Sequence, residues 1–416
     1  MAMPRRYGMS ALALLLALAG CLVAAPAAAR APATCPNQPR QPAPAPSGVP
    51  WTQQRYDQTM LNALADGRGI LVAVIDSGVD ARNPQLQGAV QAGPDQLDGG
   101  NSILDCVGHG TGVAGVIAAR PSAASPLRGL APAATILALR VSEQTETENA
   151  TPTGRRGSPA GLANAIRDAV ARHARVINLS LVSYSDDAVV RDAVNFALAS
   201  DVVVVAAVGN AAERGNPTPY PAAYDGVIGV GSIAPDGRRV PTSQTGPYVD
   251  LVAPGAQIVT TATPDGRTTM DGTSFAAPFV SAAAALLRQY HPELSAAQVS
   301  AQLIATADGG RAGPGYGAGV LNPYRALTER TGASPNPPAH ALPGPAHDTN
   351  PAGAAATERR TLLLGLTGLG TVLLAVLIAV VLPRGRRRSW RPGLRELPSA
   401  PAPPPDHTAP AFGPPT

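Results

Sequence analysis

The sequence predicts an α/β fold in which helices cover both faces of a mostly parallel central sheet. Short apolar runs of strand length recur along the middle of the chain, at 70–75, 135–141, 176–181 and 202–208. Helical patterns alternate with these runs or follow them, at 109–119, 159–173, 187–199, 274–290 and 295–305. The run at 202–208 is apolar throughout, which is typical of a parallel strand buried on both faces. Alternation of strands and helices favours a parallel sheet of the α/β class.

Composition narrows the possible functions. The 32 basic side chains are all Arg, against 28 Asp and Glu, so the formal charge of +4 is modest. No basic stripe interleaves with aromatic residues, so binding of nucleic acid has no support. Arg5 and Arg6 precede an apolar run at 11–25 and small residues at 27–29, which is the order of a secretory signal. We therefore expect 1–29 to be a signal peptide.

A second long apolar segment lies towards the C-terminus. Residues 361–382 carry no charge, and at a rise of about 1.5 Å per residue they match a hydrocarbon core of roughly 30 Å. Two arginines precede this segment closely and six follow it, and an excess of Arg marks the cytoplasmic side. We therefore predict a single-pass helix in the plasma membrane, with the main domain outside the cell and a cytoplasmic tail at 383–416.

Between these ends, the composition indicates three regions. An N-terminal extension at 30–67 begins rich in Pro and Ala, and the main domain is expected at 68–330. A Pro/Ala-rich linker at 331–360 joins this domain to the membrane segment. The segment 142–158 is polar and has no core pattern, which leaves open a solvated loop or a docking loop beside a strand end.

The extension contains one helical pattern, at 51–64. Tyr56, Met60 and Leu64 fall on one face of this pattern, and we expect the helix to pack on the main domain. A chain segment shorter than about 40 residues rarely folds alone. The extension is therefore not expected to form a separate inhibitory pro-domain, and we expect it to stay attached.

Three cysteines bear on the compartment. Cys21 lies inside the predicted signal, although the residues up to it also resemble a lipoprotein cleavage site, which leaves lipidation open. Cys35 and Cys106 remain after signal removal, an even number in an oxidising compartment. We expect these two to form a disulfide that ties the extension to the main domain.

Two polar residues stand where such a sheet builds its sites. Asp76 directly follows the strand 70–75, and sites of α/β sheets lie at the carboxyl ends of strands. His109 stands between Gly108 and Gly110 at a predicted helix start, where glycine lets other backbone come close. The other five of the six histidines lack such a setting. Taken alone, Asp76 would be interpreted as a helix cap or a turn residue.

A serine and an asparagine occupy comparable places further along the chain. Ser274 opens a predicted helix after Gly272, and the free N–H groups and dipole of a helix start favour a developing oxyanion. Pro278 is expected in the first turn of that helix, where proline is tolerated. Asn210 follows the strand 202–208, and its amide is able to donate to an oxyanion. Taken alone, Ser274 would fit a cap and Asn210 a turn.

Over residues 68–327 the chain resembles the subtilisin family of serine proteases. The resemblance rests on the order of four residues and on three segments, namely Asp76, His109, Asn210 and Ser274 with 74–79, 109–112 and 272–278. It implies a subtilisin-like three-layer fold and an endopeptidase that cleaves protein or peptide substrates without a cofactor. The implied roles are nucleophile for Ser274, general base for His109, orientation of the imidazole for Asp76 and oxyanion donor for Asn210.

The same resemblance implies substrate-binding positions. Ser180 and Leu181 correspond to the family's substrate strand, with Val182 and Ser183 in place of the glycines that usually follow, and Gly209 is expected beside them. No metal site is predicted, and no EF-hand-like loop rich in Asp appears. Structural calcium stays open, because subtilisin-type calcium sites use scattered backbone, Asn and Asp oxygens.

The layout of signal, Cys-containing extension, protease, Pro-rich linker, single anchor and basic tail is similar to that of the mycosins. These are subtilisin-like proteases associated with type VII secretion in actinobacteria. The similarity implies that components of a type VII secretion membrane complex are partners, and that the protein also stabilises this complex. The alternative is an assembly or scaffold component whose proteolytic activity is dispensable.

Overall fold

The computed structural model describes residues 35, 48–144, 154–309 and 313–331. These residues fall in the first of two units, Met1–Leu342, and the second unit, Pro343–Thr416, lies outside the described residues. The predicted signal peptide, nearly all of the linker, the predicted membrane helix and the predicted tail also lie outside them. Within the described part of the chain, no helix is long and apolar enough to cross a membrane.

The predicted parallel sheet is confirmed. Seven strands are all parallel, in the order β2-β3-β1-β4-β5-β6-β7. Their bounds are β1 Leu71–Asp76, β2 Val90–Asp95, β3 Thr135–Arg140, β4 Val176–Leu179, β5 Val203–Ala207, β6 Ile228–Ile233 and β7 Leu251–Pro254. An antiparallel pair follows, β8 Ile258–Thr261 and β9 Arg267–Met270. The chain order reverses beside β1, which is where open α/β sheets form their sites.

Helices pack on both faces of this sheet and make three layers. Their bounds are α1 Trp51–Arg55, α2 Gln58–Leu64, α3 His109–Ala118, α4 Pro159–Ala171, α5 Ala188–Ala199, α6 Thr273–Tyr290, α7 Ala296–Ala305 and α8 Pro323–Thr328. In β1, Val72 and Val74 join the core under α3 and α6, whereas Ala73 and Ile75 join the core under α4 and α5. This alternation explains why the strand is apolar at successive positions.

The extension packs on the domain as expected, but its helical pattern is interrupted. α1 ends at Arg55, and α2 starts after Asp57, whose carboxylate caps it by accepting from the N–H groups of Thr59 and Met60. The break turns α2 relative to α1, so the predicted buried face is wrong at Met60, which is 52% exposed. Tyr56 is buried as predicted, and its ring lies 5.8 Å from the ring of Phe279 in α6.

The predicted disulfide is present. Cys35 is bonded to Cys106, with 5.1 Å between their Cα atoms and a sequence separation of 71 residues. Further contacts hold the extension, since the Trp51 Nε1–H donates to the Ala256 carbonyl at 3.1 Å. The Gln58 amide donates to the Arg128 carbonyl, also at 3.1 Å. The extension is therefore attached both covalently and by side-chain contacts.

Candidate active site

The carboxyl end of β1 faces the start of α3. Asp76 is the last residue of β1, His109 is the first of α3, and His109 Nδ1 lies 2.8 Å from Asp76 Oδ1. The same oxygen accepts from the Ser77 N–H at 2.7 Å, which fixes the carboxylate. An ionised carboxylate only accepts, so the ring carries its hydrogen on Nδ1. Nε2 is therefore left as the acceptor.

Glycine next to His109 is required by close packing. A Cβ on Gly110 would lie 2.1 Å from the Gly78 carbonyl oxygen and 3.0 Å from the Asp76 Cβ. Any other residue would push α3 away from the end of β1. The sequence-based expectation that glycine permits a close backbone approach at this point is met by these distances.

The electrostatic surroundings of His109 favour its charged form. Burial lowers the pKa of His109, but the charge of Asp76, the hydrogen bond to Asp76 and the charge of Asp105 together raise it above its ordinary value. On its other side, the His109 ring contacts the uncharged ring of Phe275, with 5.1 Å between the ring centroids. The charges of Asp76 and Asp105 therefore favour the protonated imidazole, while burial raises the pKa of the Asp105 carboxyl itself.

Ser274 lies in the first turn of α6. Gly272 caps this helix with φ 120°, a backbone conformation that residues with a side chain rarely adopt. Ser274 is the second residue of the helix, so its hydroxyl lies near free backbone N–H groups. The predicted placement of Ser274 at a helix start is confirmed.

The Asn210 amide is oriented by the same helix start. Asn210 Oδ1 accepts from the Thr273 N–H at 3.0 Å, which leaves Nδ2 as the donor. A Cβ on Gly272 would lie 3.1 Å from Asn210 Nδ2, so glycine also makes room for this amide. Asn210 is therefore held beside Ser274 in an orientation suited to an oxyanion.

One cleft of about 800 Å³ collects the residues that the sequence singled out. It is lined by Asp76, His109, Ser274, Asn210, Ser180, Leu181 and Gly209. Ser142, Gly157 and Ser158 line it as well, so the two ends of the polar segment 142–158 border the site. Residues 145–153 of that segment lie outside the described residues.

Two of the expected substrate-binding residues make internal hydrogen bonds. The Gly209 N–H donates to Thr273 Oγ1 at 3.1 Å, and the Gly209 carbonyl accepts from the Gln244 N–H at 3.0 Å. The Ser180 hydroxyl donates to the Ser274 carbonyl at 2.7 Å. Both residues line the cleft, and their role in binding substrate stays a prediction.

One expectation about α6 is wrong. Pro278 does not lie in its first turn, since α6 begins at Thr273 and Pro278 is inside the helix. An interior proline lacks the N–H that would bond the carbonyl four residues earlier, which here belongs to Ser274. That carbonyl is the one that Ser180 satisfies, so the structure accommodates the proline without leaving a buried acceptor unpaired.

Sequence reasoning also missed Asp105. This residue has no exposed surface and bonds to the loop that carries His109. Its only signal in the sequence is its place four residues before His109.

In the described ranges, no group of three or more His, Cys, Asp or Glu side chains is arranged to hold a metal ion.

A serine at a helix start, in the same cleft as a hydrogen-bonded histidine and carboxylate pair at the edge of a parallel sheet, is the arrangement of a serine peptidase. The peptidase S8 model of the subtilase family matches residues 67–326, and the chain belongs to this family. The chain is accordingly a serine endopeptidase, as the resemblance implied.

Similar proteins and solved structures agree with this assignment. The chain is 36% identical over 278 residues to a thermophilic serine proteinase of Bacillus sp. (strain AK1), covering 66% of each chain. A crystal structure of MycP1 with its N-terminal propeptide removed has a TM-score of 0.60 and 32% identity, covering 69% of this chain and 99% of that one. The MycP3 protease from the type VII (ESX-3) secretion system has a TM-score of 0.58 and 31% identity, covering 71% and 96%. These similarities support the mycosin subgroup.

Proposed function

We propose that this protein is a membrane-anchored, subtilisin-like serine endopeptidase that acts outside the plasma membrane and is associated with type VII secretion. The observation that carries the catalytic part is the 2.8 Å hydrogen bond between His109 and Asp76 in the cleft that Ser274 also lines. The proposed substrates are proteins or peptides, because the chain belongs to the subtilase family and this cleft of about 800 Å³ is bordered by strand ends.

The proposed mechanism follows from the geometry. Ser274 Oγ attacks the scissile carbonyl carbon while His109 Nε2 takes the hydroxyl proton, and Asp76 stabilises the imidazolium. The Asn210 amide and the N–H groups of the α6 start stabilise the oxyanion. His109 then donates its proton to the leaving amine, which leaves an acyl-enzyme on Ser274. Water, deprotonated by His109, hydrolyses this ester and restores the serine.

A test of the catalytic part uses a fluorophosphonate, which phosphorylates an activated serine. The full-length chain in detergent is expected to be labelled at Ser274 and nowhere else, and Ser274→Ala is expected to remain folded but unlabelled. Ser200→Ala is the matched control, because that hydroxyl is exposed and lies outside the cleft. Labelling that persists in Ser274→Ala would show that Ser274 is not the nucleophile.

The membrane part of the proposal is supported by the sequence alone. The uncharged segment 361–382 and the six arginines behind it favour a single-pass anchor with a cytoplasmic tail. A cysteine-specific, membrane-impermeant reagent tests the orientation in intact cells. A cysteine placed at Ser200 is expected to react from outside, and one placed at Ser399 only after the membrane is opened.

A second role is favoured by the solved structures. One similar MycP1 structure is described as an essential component of the type VII (ESX-1) secretion system, with 33% identity over 69% of this chain. We propose that the anchored domain of this chain stabilises a secretion complex, independently of Ser274. Complementation of a deletion strain separates the two roles. If Ser274→Ala restores neither secretion nor the intact complex while the unaltered chain restores both, proteolysis is the whole function.

A further inference from the structure

A second buried carboxylate lies behind the catalytic pair. Asp105 has no exposed surface, and its Oδ1 accepts from the N–H groups of Val107 and Gly108 at 3.1 and 2.8 Å. Its Oδ2 accepts from the Thr111 N–H at 2.8 Å and from the Thr111 hydroxyl at 2.7 Å. The residues bonded to Asp105 therefore lie on both sides of His109 in the chain.

Asp105 is also linked to the other member of the pair. The Ser77 hydroxyl donates to Asp105 Oδ1 at 2.9 Å and accepts from the Gly110 N–H at 2.9 Å. Ser77 follows Asp76 in the chain, and its own N–H donates to the Asp76 carboxylate. The Ser77 bridge therefore fixes the end of β1 and the start of α3 to each other through Asp105.

From these contacts we infer that Asp105 is a positioning residue for the peptidase reaction, which holds His109 against Asp76 and adds a second negative charge beside the imidazole. Asp105 acts through these neighbours, because it does not line the cleft. The inference rests on the proposed catalytic roles of Asp76, His109 and Ser274.

The hydrogen bonds require a carboxylate in particular. Both oxygens of Asp105 accept from backbone N–H groups, so an asparagine would place its NH₂ against a backbone donor in either orientation. Asp105→Asn therefore loosens the His109 loop as well as removing the charge. A misplaced catalytic group costs about 10- to 100-fold in rate.

The pKa of His109 distinguishes the effect of the Asp105 charge from a purely structural role, which would leave that pKa unchanged. The groups packed against His109 are Asp76 from β1, Asp105 from the preceding loop and the neutral Phe275 ring from α6. The other charged residues that line the cleft are Arg156, Asp187 and Asp271. Because the Asp105 charge raises the pKa of His109, its removal is expected to lower that pKa. The rate would then remain high to a lower pH.

The test is the rate of fluorophosphonate labelling of Ser274 as a function of pH, with the full-length chain in detergent. Asp105→Asn is expected to be labelled about 10- to 100-fold more slowly at its optimum, with its acidic midpoint at lower pH than in the unaltered chain. Asp95→Asn is the matched control, because Asp95 is also buried but bonds to Arg140. This control is expected to keep the original midpoint.

A second variant separates the positioning of His109 from the effect of the Asp105 charge. It also tests the positioning role if Asp105→Asn does not fold. Ser77→Ala removes the bridge to Gly110 but keeps the Asp105 carboxylate, so labelling is expected to slow about tenfold at an unchanged midpoint. The charge effect of Asp105 is overturned if Asp105→Asn keeps the original midpoint. The positioning role is overturned if Ser77→Ala is labelled at the unaltered rate. No labelling of the unaltered chain would instead contradict the proposed function.

Discussion

The Ser180 hydroxyl donates to the carbonyl of Ser274, with 2.7 Å between the two oxygens, and so replaces a hydrogen bond that the helix cannot make itself. Pro278 has no N–H for this carbonyl, although it stands four residues after Ser274. A residue just beyond the sheet therefore completes the helix that carries the nucleophile.

Ser180 is itself fixed by a buried network. The Asn178 amide in β4 donates to Ser180 Oγ at 2.9 Å, and the Ser281 hydroxyl in α6 donates to Asn178 Oδ1 at 2.8 Å. Asn178 and Ser281 have no exposed surface, so the two hydrogen bonds of Asn178 are shielded from water. The network joins β4 and the residue just beyond it to α6 at Ser281 and Ser274, about two turns apart along the helix, and sets the position of Ser274 relative to the sheet.

Ser180→Ala is expected to lower kcat and stability together. It leaves the Ser274 carbonyl and one Asn178 N–H without partners, and an unsatisfied buried polar group costs about 1–3 kcal/mol. Thermal unfolding and peptide hydrolysis measure the two effects. Ser200→Ala is the control. The Ser200 hydroxyl likewise donates to a helix carbonyl, that of Phe196, but at an exposed position. Equal changes in kcat and in thermal stability in the two variants would show that neither depends on the hydrogen bond from Ser180 to the Ser274 carbonyl.

Asn210→Ala is expected to reduce kcat by about 10²–10³-fold with little change in KM, because the oxyanion exists only in the transition state and in the tetrahedral intermediate. Labelling by fluorophosphonate should persist, since Ser274 and His109 are untouched. Asn62→Ala, which removes a half-exposed amide in α2, serves as the control. Unchanged turnover in Asn210→Ala would make Asn210 a turn residue only.

These predictions depend on parts of the fold that the sequence revealed to different extents. The four predicted strands are short, mainly apolar runs, and all four are confirmed within two residues at each end. β6 was missed because Gly229 and Gly231 interrupt its pattern. A Cβ on Gly229 would lie 1.9 Å from the Tyr248 carbonyl oxygen, so tertiary packing requires glycine in this strand.

The same limit applies to the site. Asp76, His109, Asn210 and Ser274 were predictable because each stands at the end of a strand or the start of a helix, where local sequence marks the position. The Ser180–Ser274 bond was not predictable, because it joins distant segments. The link from Asp105 to Asp76 was not predictable either, because it runs through Ser77, which precedes Asp105 by 28 residues. Ser180 and Ser274 are 94 residues apart, and no local pattern connects them.

The pH dependence of kcat/KM should reflect His109. Because the pKa of His109 is raised above its ordinary value of 6.5, the base is protonated and inactive below that raised pKa, and activity rises with pH through it. The acidic midpoint of a pH profile is therefore expected above 6.5. Asp271→Asn is a control, since Asp271 lines the cleft but does not contribute to this shift. A midpoint below 6.5 would contradict the assignment.

Arg140 is expected to be the strongest single ionic contributor to stability beside the cleft. Its side chain is 3% exposed, and it donates to Asp95 at 2.6 Å and to Asp98 at 2.9 Å. Replacement by Leu leaves the buried Asp95 carboxylate unpaired, which costs about 3–5 kcal/mol.

Arg155→Leu is the matched control for Arg140. Arg155 also pairs with Asp98, and with Glu143, but its side chain is 49% exposed, so its loss is expected to cost about 1 kcal/mol or less. Urea unfolding measures both variants. Equal losses would show that burial does not set the strength of this cluster.

The disulfide between Cys35 and Cys106 ties the start of the extension to the main domain. Closing a loop of 71 residues stabilises the folded chain by about 4 kcal/mol in the chain-entropy model. The double replacement of both cysteines by serine is therefore expected to lower the free energy of unfolding by about that amount. It should also free the start of the extension, while Trp51 and Gln58 still bond to the domain.

Cys21→Ser is the control for this pair, because Cys21 is expected to be removed with the signal peptide. Thiol counting on the mature, non-reduced chain is expected to find no free cysteine, and two free thiols would refute the pairing. The extension is expected to remain on the active enzyme, since its contacts bury Tyr56 and Leu61 against the domain. An active enzyme whose N-terminus begins after Leu64 would show instead that the extension is a removable pro-segment, and that these contacts stabilise only the precursor.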